Sequence, residues 1–214
     1  PGYYYRLLPS GHFSNGSGCG NELADERSMV RKFIVDSVTY WATEYKIDGF
    51  RFDLMGLHHV DTMKAVRKAL DKIDPSIIIY GEGWAAGDST LPWSVRAVKD
   101  HIPQLKRIAA FSDDMRDAVK GHVFHQDIPG FVQGAGAVEA IKFGITAATY
   151  HEQVDYGKAN HGRGPWAIEP SQCITYTAAH DNLTLWDKLT VSTPEASEGE
   201  RVQMQKLANA IILT

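Results

Sequence analysis

Two short apolar runs that each end in a carboxylate constrain the fold of this chain most strongly. The first passes through Phe50 and Phe52 to Asp53, and the second covers 77–80 and reaches Glu82. The pattern between them predicts an amphipathic helix. The order strand, helix, strand is typical of parallel strands joined by helical crossovers. Because the carboxyl ends of parallel strands meet at one edge of a sheet, we expect both acids at that edge.

The same alternation continues along the chain. Apolar spacing predicts helices at 23–45, 59–73, 95–99, 117–120, 138–149 and 200–212. It predicts further strands at 108–111 and 173–179. Residues 1–22 are interpreted as an entering loop, and 115–170 as a long, Gly-rich, insertion-bearing loop region. The whole of 1–214 is therefore interpreted as part of one domain.

The spacing of the acids indicates a barrel. A (β/α)8 TIM barrel of about 250 residues allots roughly 31 residues to each unit. Asp53 and Glu82 are 29 positions apart, and Asp181 follows Glu82 by 99 positions. The second interval fits two units plus an insertion of roughly 37 residues. We therefore predict an α/β fold that is about half of a (β/α)8 barrel.

Composition excludes several other classes. Hydrophobic residues make up 43% of the chain and the net charge is −4. A packed core is expected, whereas nucleic-acid binding would need a basic surface. No run of about 18 apolar residues predicts a membrane span. Neither the two cysteines nor the histidine pairs have the spacing of metal ligands, so no metal site is predicted.

Asp53 and Glu82 suit the two acids of a glycosidase. Arg51 precedes Asp53 by two positions and would hold it ionised, as a nucleophile requires. Glu82 lies between two glycines before Trp84, where apolar surroundings would favour a protonated acid. Retaining glycosidases need such a pair about 5–5.5 Å apart. The alternative for Arg51 and Asp53 is a buried ion pair without chemistry.

Asp181 is a third candidate, flanked by His180 and Asn182. Its carboxylate could bind sugar hydroxyls and stabilise the positive charge of the transition state. The alternative is an ordinary cap or turn residue.

Three segments resemble conserved regions of the α-amylase superfamily, glycoside hydrolase family 13. They are 48–56 (DGFRFDLMG), 81–84 (GEGW) and 179–182 (AHDN). The LMG ending, the Gly-Trp pair, 182–187 (NLTLWD), 19–22 and 26–29 are similar to the type I pullulanase branch. The Asn-His region of the third barrel strand, the Tyr-Asn-Trp-Gly-Tyr signature and the eighth strand are missing. The resemblance therefore implies an internal fragment of the catalytic domain, roughly strands 4 to 7 with their helices.

The resemblance also implies roles for individual residues. Asp53 would be the nucleophile, Glu82 the general acid/base and Asp181 the stabiliser of the transition state. The implied substrate-binding residues are Arg51, His180, Trp84, Leu54 and Asn182. Arg51 would orient Asp53, and His180 would bind the same sugar. Trp84 would stack beneath glucose, and Leu54 and Asn182 would line the groove. Asp114 and Arg116 are further candidates.

The implied function is retaining hydrolysis of α-1,6-glucosidic branch linkages in pullulan, amylopectin and limit dextrins. The alternatives are a related α-1,4-acting amylase or glucanotransferase, or a catalytically incompetent fragment that binds glucan. Expected partners are an α-glucan and the rest of the barrel, without nucleic acid or membrane. The chemistry needs no cofactor. The sequence does not show whether a structural calcium is bound, whether the protein is secreted or cytoplasmic in a bacterium, or whether these 214 residues are active alone.

Overall fold

The computed structural model describes residues 2–136, 138–159 and 164–214. The chain divides into two compact units, Pro1–Ala110 and Phe111–Thr214. Each unit combines helices with short strands, and the pairing of strands in the first unit is parallel. The predicted α/β class is confirmed. No helix among the described residues has both the length and the apolar character needed to cross a membrane.

The first unit is built on parallel strands with helices between them. The strands are β1 (Gly49–Phe52), β2 (Ile78–Gly81) and β3 (Ala109–Phe111), whose last residue begins the second unit, and the helices are α1 (Ser28–Glu44) and α2 (Val60–Leu70). Gly49 is opposite Ile78 and Phe52 is opposite Gly81. Tyr80 of β2 is opposite Ala109 of β3. This register brings the carboxyl ends of β1 and β2 together.

The buried face of α1 consists of small and branched apolar residues at four-residue steps, namely Val30, Ile34, Val38 and Ala42. The apolar spacing within 23–45 also predicts Trp41 and Tyr45 on this inner face, but they are 44% and 58% exposed. In the predicted helix 23–45, Glu22 and Asp25 would lie at the helix start, where the dipole favours acids. They precede the helix and are buried, at 3% and 0% exposure, in contacts described below.

Helix α2 lies within the predicted range 59–73 but ends at Leu70, and Ile73, which the same spacing predicts on its inner side, is 40% exposed. His59 caps the helix, because its Nδ1 accepts a hydrogen bond from the Asp61 N–H at 3.1 Å. Met63, Val66 and Leu70 are buried on its inner side. The predicted helix at 95–99 is wrong. That region forms the 3-10 turns Trp93–Val95 and Lys99–Gln104, and the second contains Pro103, which has no N–H to donate to an α-helix.

The second unit contains a separate apolar core. Its elements are α3 (Asp113–Lys120), α4 (Val138–Ile145), β4 (Cys173–Ile174), α5 (Leu185–Ser192) and α6 (Glu198–Leu213). The core combines buried residues from α3, α4, α5 and α6, among them Met115, Ile141, Leu189 and Ala208. Helix α4 and all but the first two residues of α3 lie within the predicted loop region 115–170. Residues 137 and 160–163 of that region are outside the described residues.

The second unit differs from the sequence analysis in two places. The predicted strand 173–179 is only two residues long, and the Ser112 N–H donates to its Ile174 carbonyl at 2.9 Å. Helix α5, which had not been predicted, begins shortly afterwards. Thr184 caps it by accepting a hydrogen bond from the Asp187 N–H at 3.2 Å.

Candidate active site

The turn after β1 presents Asp53. Strand β1 ends at Phe52, and Leu54 adopts a left-handed conformation with φ of 43° before the 3-10 turn Met55–Leu57. Strand alternation predicts Leu54 on the face of Phe50 and Phe52, but the left-handed turn takes it off that face. Its conformation is uncommon for a residue with a side chain, and such strain concentrates at functional sites.

Glu82 follows β2 directly and is 4% exposed. Its N–H donates to the Phe52 carbonyl at 3.1 Å, and its carbonyl accepts from the Gly56 N–H at 2.9 Å. Its carboxylate Oε2 accepts from the Leu54 N–H at 2.6 Å. The left-handed turn thus points a backbone donor at the carboxylate of the neighbouring strand, which explains why Leu54 leaves the strand geometry.

Arg51 contacts both candidate acids of this unit. Its Nη2 lies 2.8 Å from Oε1 of Glu82, and its Nη1 forms an ion pair with Asp53. The side chain of Asp53 is 69% exposed, whereas that of Glu82 is 6% exposed. One carboxylate is therefore open to solvent and the other is enclosed, while a single guanidinium reduces the repulsion between them.

The surroundings of Glu82 differ from the expected apolar pocket. Arg51 and the Leu54 N–H are a cation and a donor, and both stabilise the ionised carboxylate. The sequence indicated that Arg51 pairs with Asp53, and this pair is present. It did not indicate the contact to Glu82 or the donor role of Leu54, because both depend on the register between β1 and β2.

Trp84 is half-buried beyond Glu82, and its backbone packs against Gly56. A Cβ at position 56 would lie 2.6 Å from the Trp84 carbonyl carbon and 2.9 Å from its Cα. Only glycine fits at this close approach. The turns after β1 and β2 are therefore in backbone contact.

The remaining predicted site residues lie in the second unit. His180 and Asp181 are exposed, with His180 Nε2 3.5 Å from Asp181 Oδ1. Asn182 has a φ of 62°, and the next carbonyl, that of Leu183, accepts from Lys120 Nζ at 3.0 Å. These contacts hold the backbone beside Asp181 in a defined turn.

Asp114 and Arg116 make contacts within the second unit that are typical of structural residues. Asp114 is 1% exposed, and its Oδ2 accepts from the Trp166 Nε1–H at 3.2 Å. Arg116 pairs with Asp117 at 2.7 Å and donates to the Tyr176 hydroxyl at 3.0 Å. Burial raises the pKa of Tyr176 to about 12, so this hydroxyl stays neutral beside the guanidinium.

Comparison with known proteins connects the whole chain to one group of enzymes. It is 40% identical over 214 residues to a pullulanase of Bacillus subtilis, covering all of this chain and 28% of the relative. The structure of a Paenibacillus barengoltzii pullulanase complexed with maltohexaose and alpha-cyclodextrin matches with a TM-score of 0.90 and 46% identity, over 100% of this chain and 32% of that one.

A pullulanase from Anoxybacillus sp. LM18-11 complexed with maltotriose matches with a TM-score of 0.88 and 45% identity, over 100% of this chain and 28% of that one. No model of a known protein family matches the sequence. The chain thus spans less than a third of the length of each of these relatives.

Proposed function

Because this chain belongs to the pullulanase family along its whole length, we propose that the complete protein is a retaining glycoside hydrolase that cleaves α-1,6-glucosidic branch linkages. Its substrates would be pullulan, amylopectin and limit dextrins. One observation carries the proposal. Asp53 and Glu82 follow neighbouring parallel strands and contact the same guanidinium, with one acid exposed and the other enclosed.

In the first proposed step Asp53 is the nucleophile. Its carboxylate oxygen attacks the anomeric carbon while the bond from that carbon to the leaving oxygen breaks. Protonated Glu82 donates its proton to the leaving oxygen and becomes a carboxylate. The Arg51 guanidinium and the Leu54 N–H would stabilise the charge that forms on Glu82.

In the second step water attacks the anomeric carbon of the glycosyl ester. Glu82 accepts the proton of that water, and Asp53 leaves as a carboxylate. Arg51 stabilises the released Asp53 carboxylate, so the same side chain serves both half-reactions. The anomeric configuration of the product is retained because two displacements have occurred.

The roles of Asp181, His180, Asn182 and Trp84 remain predictions from the sequence motifs. For Asp181 we propose stabilisation of the positive charge in the transition state, and for His180 and Asn182 contacts to sugar hydroxyls. Trp84 would provide an aromatic face for a glucose ring. Relatives solved with maltohexaose or maltotriose support an α-glucan as the ligand class.

Product analysis tests this function. The complete protein should release maltotriose from pullulan and release nothing from linear amylose. An Asp53→Asn variant, matched in size but unable to form the ester, serves as the inactive control. Cleavage of amylose without cleavage of pullulan would instead identify an α-1,4-acting relative. Longer glucans formed at the expense of hydrolysis would identify a glucanotransferase.

A further inference from the structure

The segment that precedes α1, residues 2–25, contacts the turn that carries Asp53 and the turn that follows Glu82. We refer to residues 53–59 as the first turn and to 83–91 as the second turn. We propose that this segment positions Asp53 and Glu82 for catalysis and that Asp25 is its central positioning residue. The proposal rests on the proposed function and extends it to residues that do not touch the substrate.

The contacts to the first turn come from Arg6 and Asp25. Arg6 Nη1 donates to the Leu57 carbonyl at 2.9 Å. Asp25 Oδ2 lies 2.9 Å from His58 Nδ1 and accepts from the His59 N–H at 3.0 Å. The His58 ring in turn lies edge-on to Phe52, the last residue of β1, with ring centroids 5.6 Å apart. The chain on both sides of Asp53 is therefore held.

The contacts to the second turn come from Ser14, Gly16 and Glu22. The Ala86 and Gly87 N–H groups donate to the Gly16 carbonyl at 3.0 and 2.9 Å. Ser14 Oγ accepts from the N–H of residue 90 at 3.1 Å. Glu22 accepts from the Gly16 N–H at 2.8 Å and from Ser89 Oγ at 2.6 Å.

Arg6 joins the two sets of contacts into one buried cluster. It is 4% exposed, and its Nη2 lies 2.7 Å from Asp25 and 2.9 Å from Glu26, while its Nη1 lies 3.6 Å from Glu22. A buried charge that loses its partner is strongly unfavourable, so these groups must keep their mutual positions. A movement of either turn would break the cluster.

Asp25 is fully buried yet remains charged at neutral pH. Burial opposes its ionisation, but the hydrogen bond and charge of His58, the charge of Arg6 and the His59 N–H outweigh it and hold the pKa of Asp25 below its usual value. The groups that face this carboxylate thus come from the segment itself and from the first turn. Asp25 is the point where the two are joined.

Catalysis is more sensitive to such positioning than folding is. A misplacement of about 1 Å at the reacting groups can lower the rate by about 10²-fold. The apolar residues that α1 and α2 bury, such as Val30, Met63 and Leu70, lie outside the cluster and keep their packing when its charges change. We therefore expect loss of the Asp25 charge to lower kcat more than it raises KM.

The test uses the full-length protein with Asp25→Asn, which keeps the size of the side chain and removes its charge. The kcat for pullulan should fall by about 10²-fold with KM changed less than about threefold, since the acids and not the binding groups are displaced. Hydrogen exchange should accelerate in both the first and the second turn. Asp36→Asn, an exposed acid on α1 that pairs with Lys32, is the matched control and should change neither measurement.

Ser89→Ala provides a second variant if Asp25→Asn does not fold. It removes the contact of Glu22 to the second turn and, within that turn, the acceptor of the Leu91 N–H. Because the first turn loses no contact, exchange should accelerate at 83–91 and stay unchanged at 53–59. Wild-type exchange in both variants would overturn the proposal, as would faster exchange with an unchanged kcat. If the wild-type protein does not cleave pullulan, the proposed function fails, while the exchange measurement still decides whether the segment holds the turns.

Discussion

The Nη2 atom of Arg51 lies 2.8 Å from Oε1 of Glu82, on the neighbouring strand, while the same guanidinium pairs with Asp53. One cation thus contacts two carboxylates of opposite accessibility. In the proposed mechanism the negative charge moves between these carboxylates during each half-reaction. Arg51 can stabilise it in both places without moving.

Arg51→Lys tests this shared role. Lysine keeps the positive charge but has one nitrogen, so it cannot bind two carboxylates through a planar fork. We expect kcat/KM on pullulan to fall by roughly 10²-fold, a value typical for removal of one stabilising donor. Arg107→Lys, which alters an exposed pair with Asp71, should leave it unchanged. Equal rates in Arg51→Lys and wild type would show that the fork is not needed.

Gly56→Ala tests the backbone contact between the two turns. The added Cβ would meet the Trp84 backbone at 2.6 and 2.9 Å, so one turn must move. Overpacking of this kind costs about 1–3 kcal/mol, which should appear as a lower free energy of unfolding in urea. The matched control is Gly199→Ala in α6, where an added Cβ would lie 4.0 Å from its nearest neighbour, Ser197 Oγ. This substitution should not lower the free energy of unfolding. Unchanged stability at position 56 would contradict the close approach.

Lys188→Met tests a buried ammonium of the second unit. Lys188 is 2% exposed, and its Nζ donates to carbonyls at 2.7–3.2 Å, those of His122, His125, Gln126 and Ile128. Methionine fills similar space but donates nothing, so the free energy of unfolding should fall by about 2–3 kcal/mol. The exposed Lys206→Met on α6 is the matched control. A loss no greater than that of the control would show that these carbonyls do not depend on Lys188.

Lys120 predicts a pH dependence of stability. Burial, with the charges of Arg116 and Lys188, lowers its pKa to about 8, whereas an unfolded lysine titrates near 10.4. Between these values the unfolded chain binds more protons, so this group makes the free energy of unfolding rise with pH from about 8 to 10. In Lys120→Met that part of the rise should be absent in urea titrations at pH 7.5 and 10. The same pH slope in both proteins would contradict the lowered pKa.

Much of the fold could be predicted because the apolar residues of the helices and strands recur at the spacing typical of each element. The apolar steps of Val30, Ile34 and Val38 predicted α1, and the apolar runs before Asp53 and Glu82 predicted β1 and β2. The prediction of a strand over 173–179 was wrong because an apolar run does not show how many of its residues have a pairing partner. The predicted burial of Trp41 was wrong: it lies on the side of α1 that carries Val30 and Ile34, but near the end of the helix its ring packs against Tyr40 and Tyr45 and stays 44% exposed.

The site was predictable only where both partners lie close together along the chain. Arg51 and Asp53 are two residues apart, so their pairing follows from strand periodicity. The contact between Arg51 and Glu82 depends on strand pairing, and Arg6 contacts Leu57, which is 51 positions away. Such distant contacts leave no local pattern in a single sequence.

The central claim, that Asp53 is the nucleophile and Glu82 the acid/base, is tested most directly by azide rescue with α-maltotriosyl fluoride. In Asp53→Gly, azide can occupy the space of the missing carboxylate and displace fluoride with inversion, so the account predicts the β-glycosyl azide. In Glu82→Ala, Asp53 still forms the ester and azide then displaces it, which predicts the α-glycosyl azide. The opposite pair of anomers would contradict the assignment of the two acids.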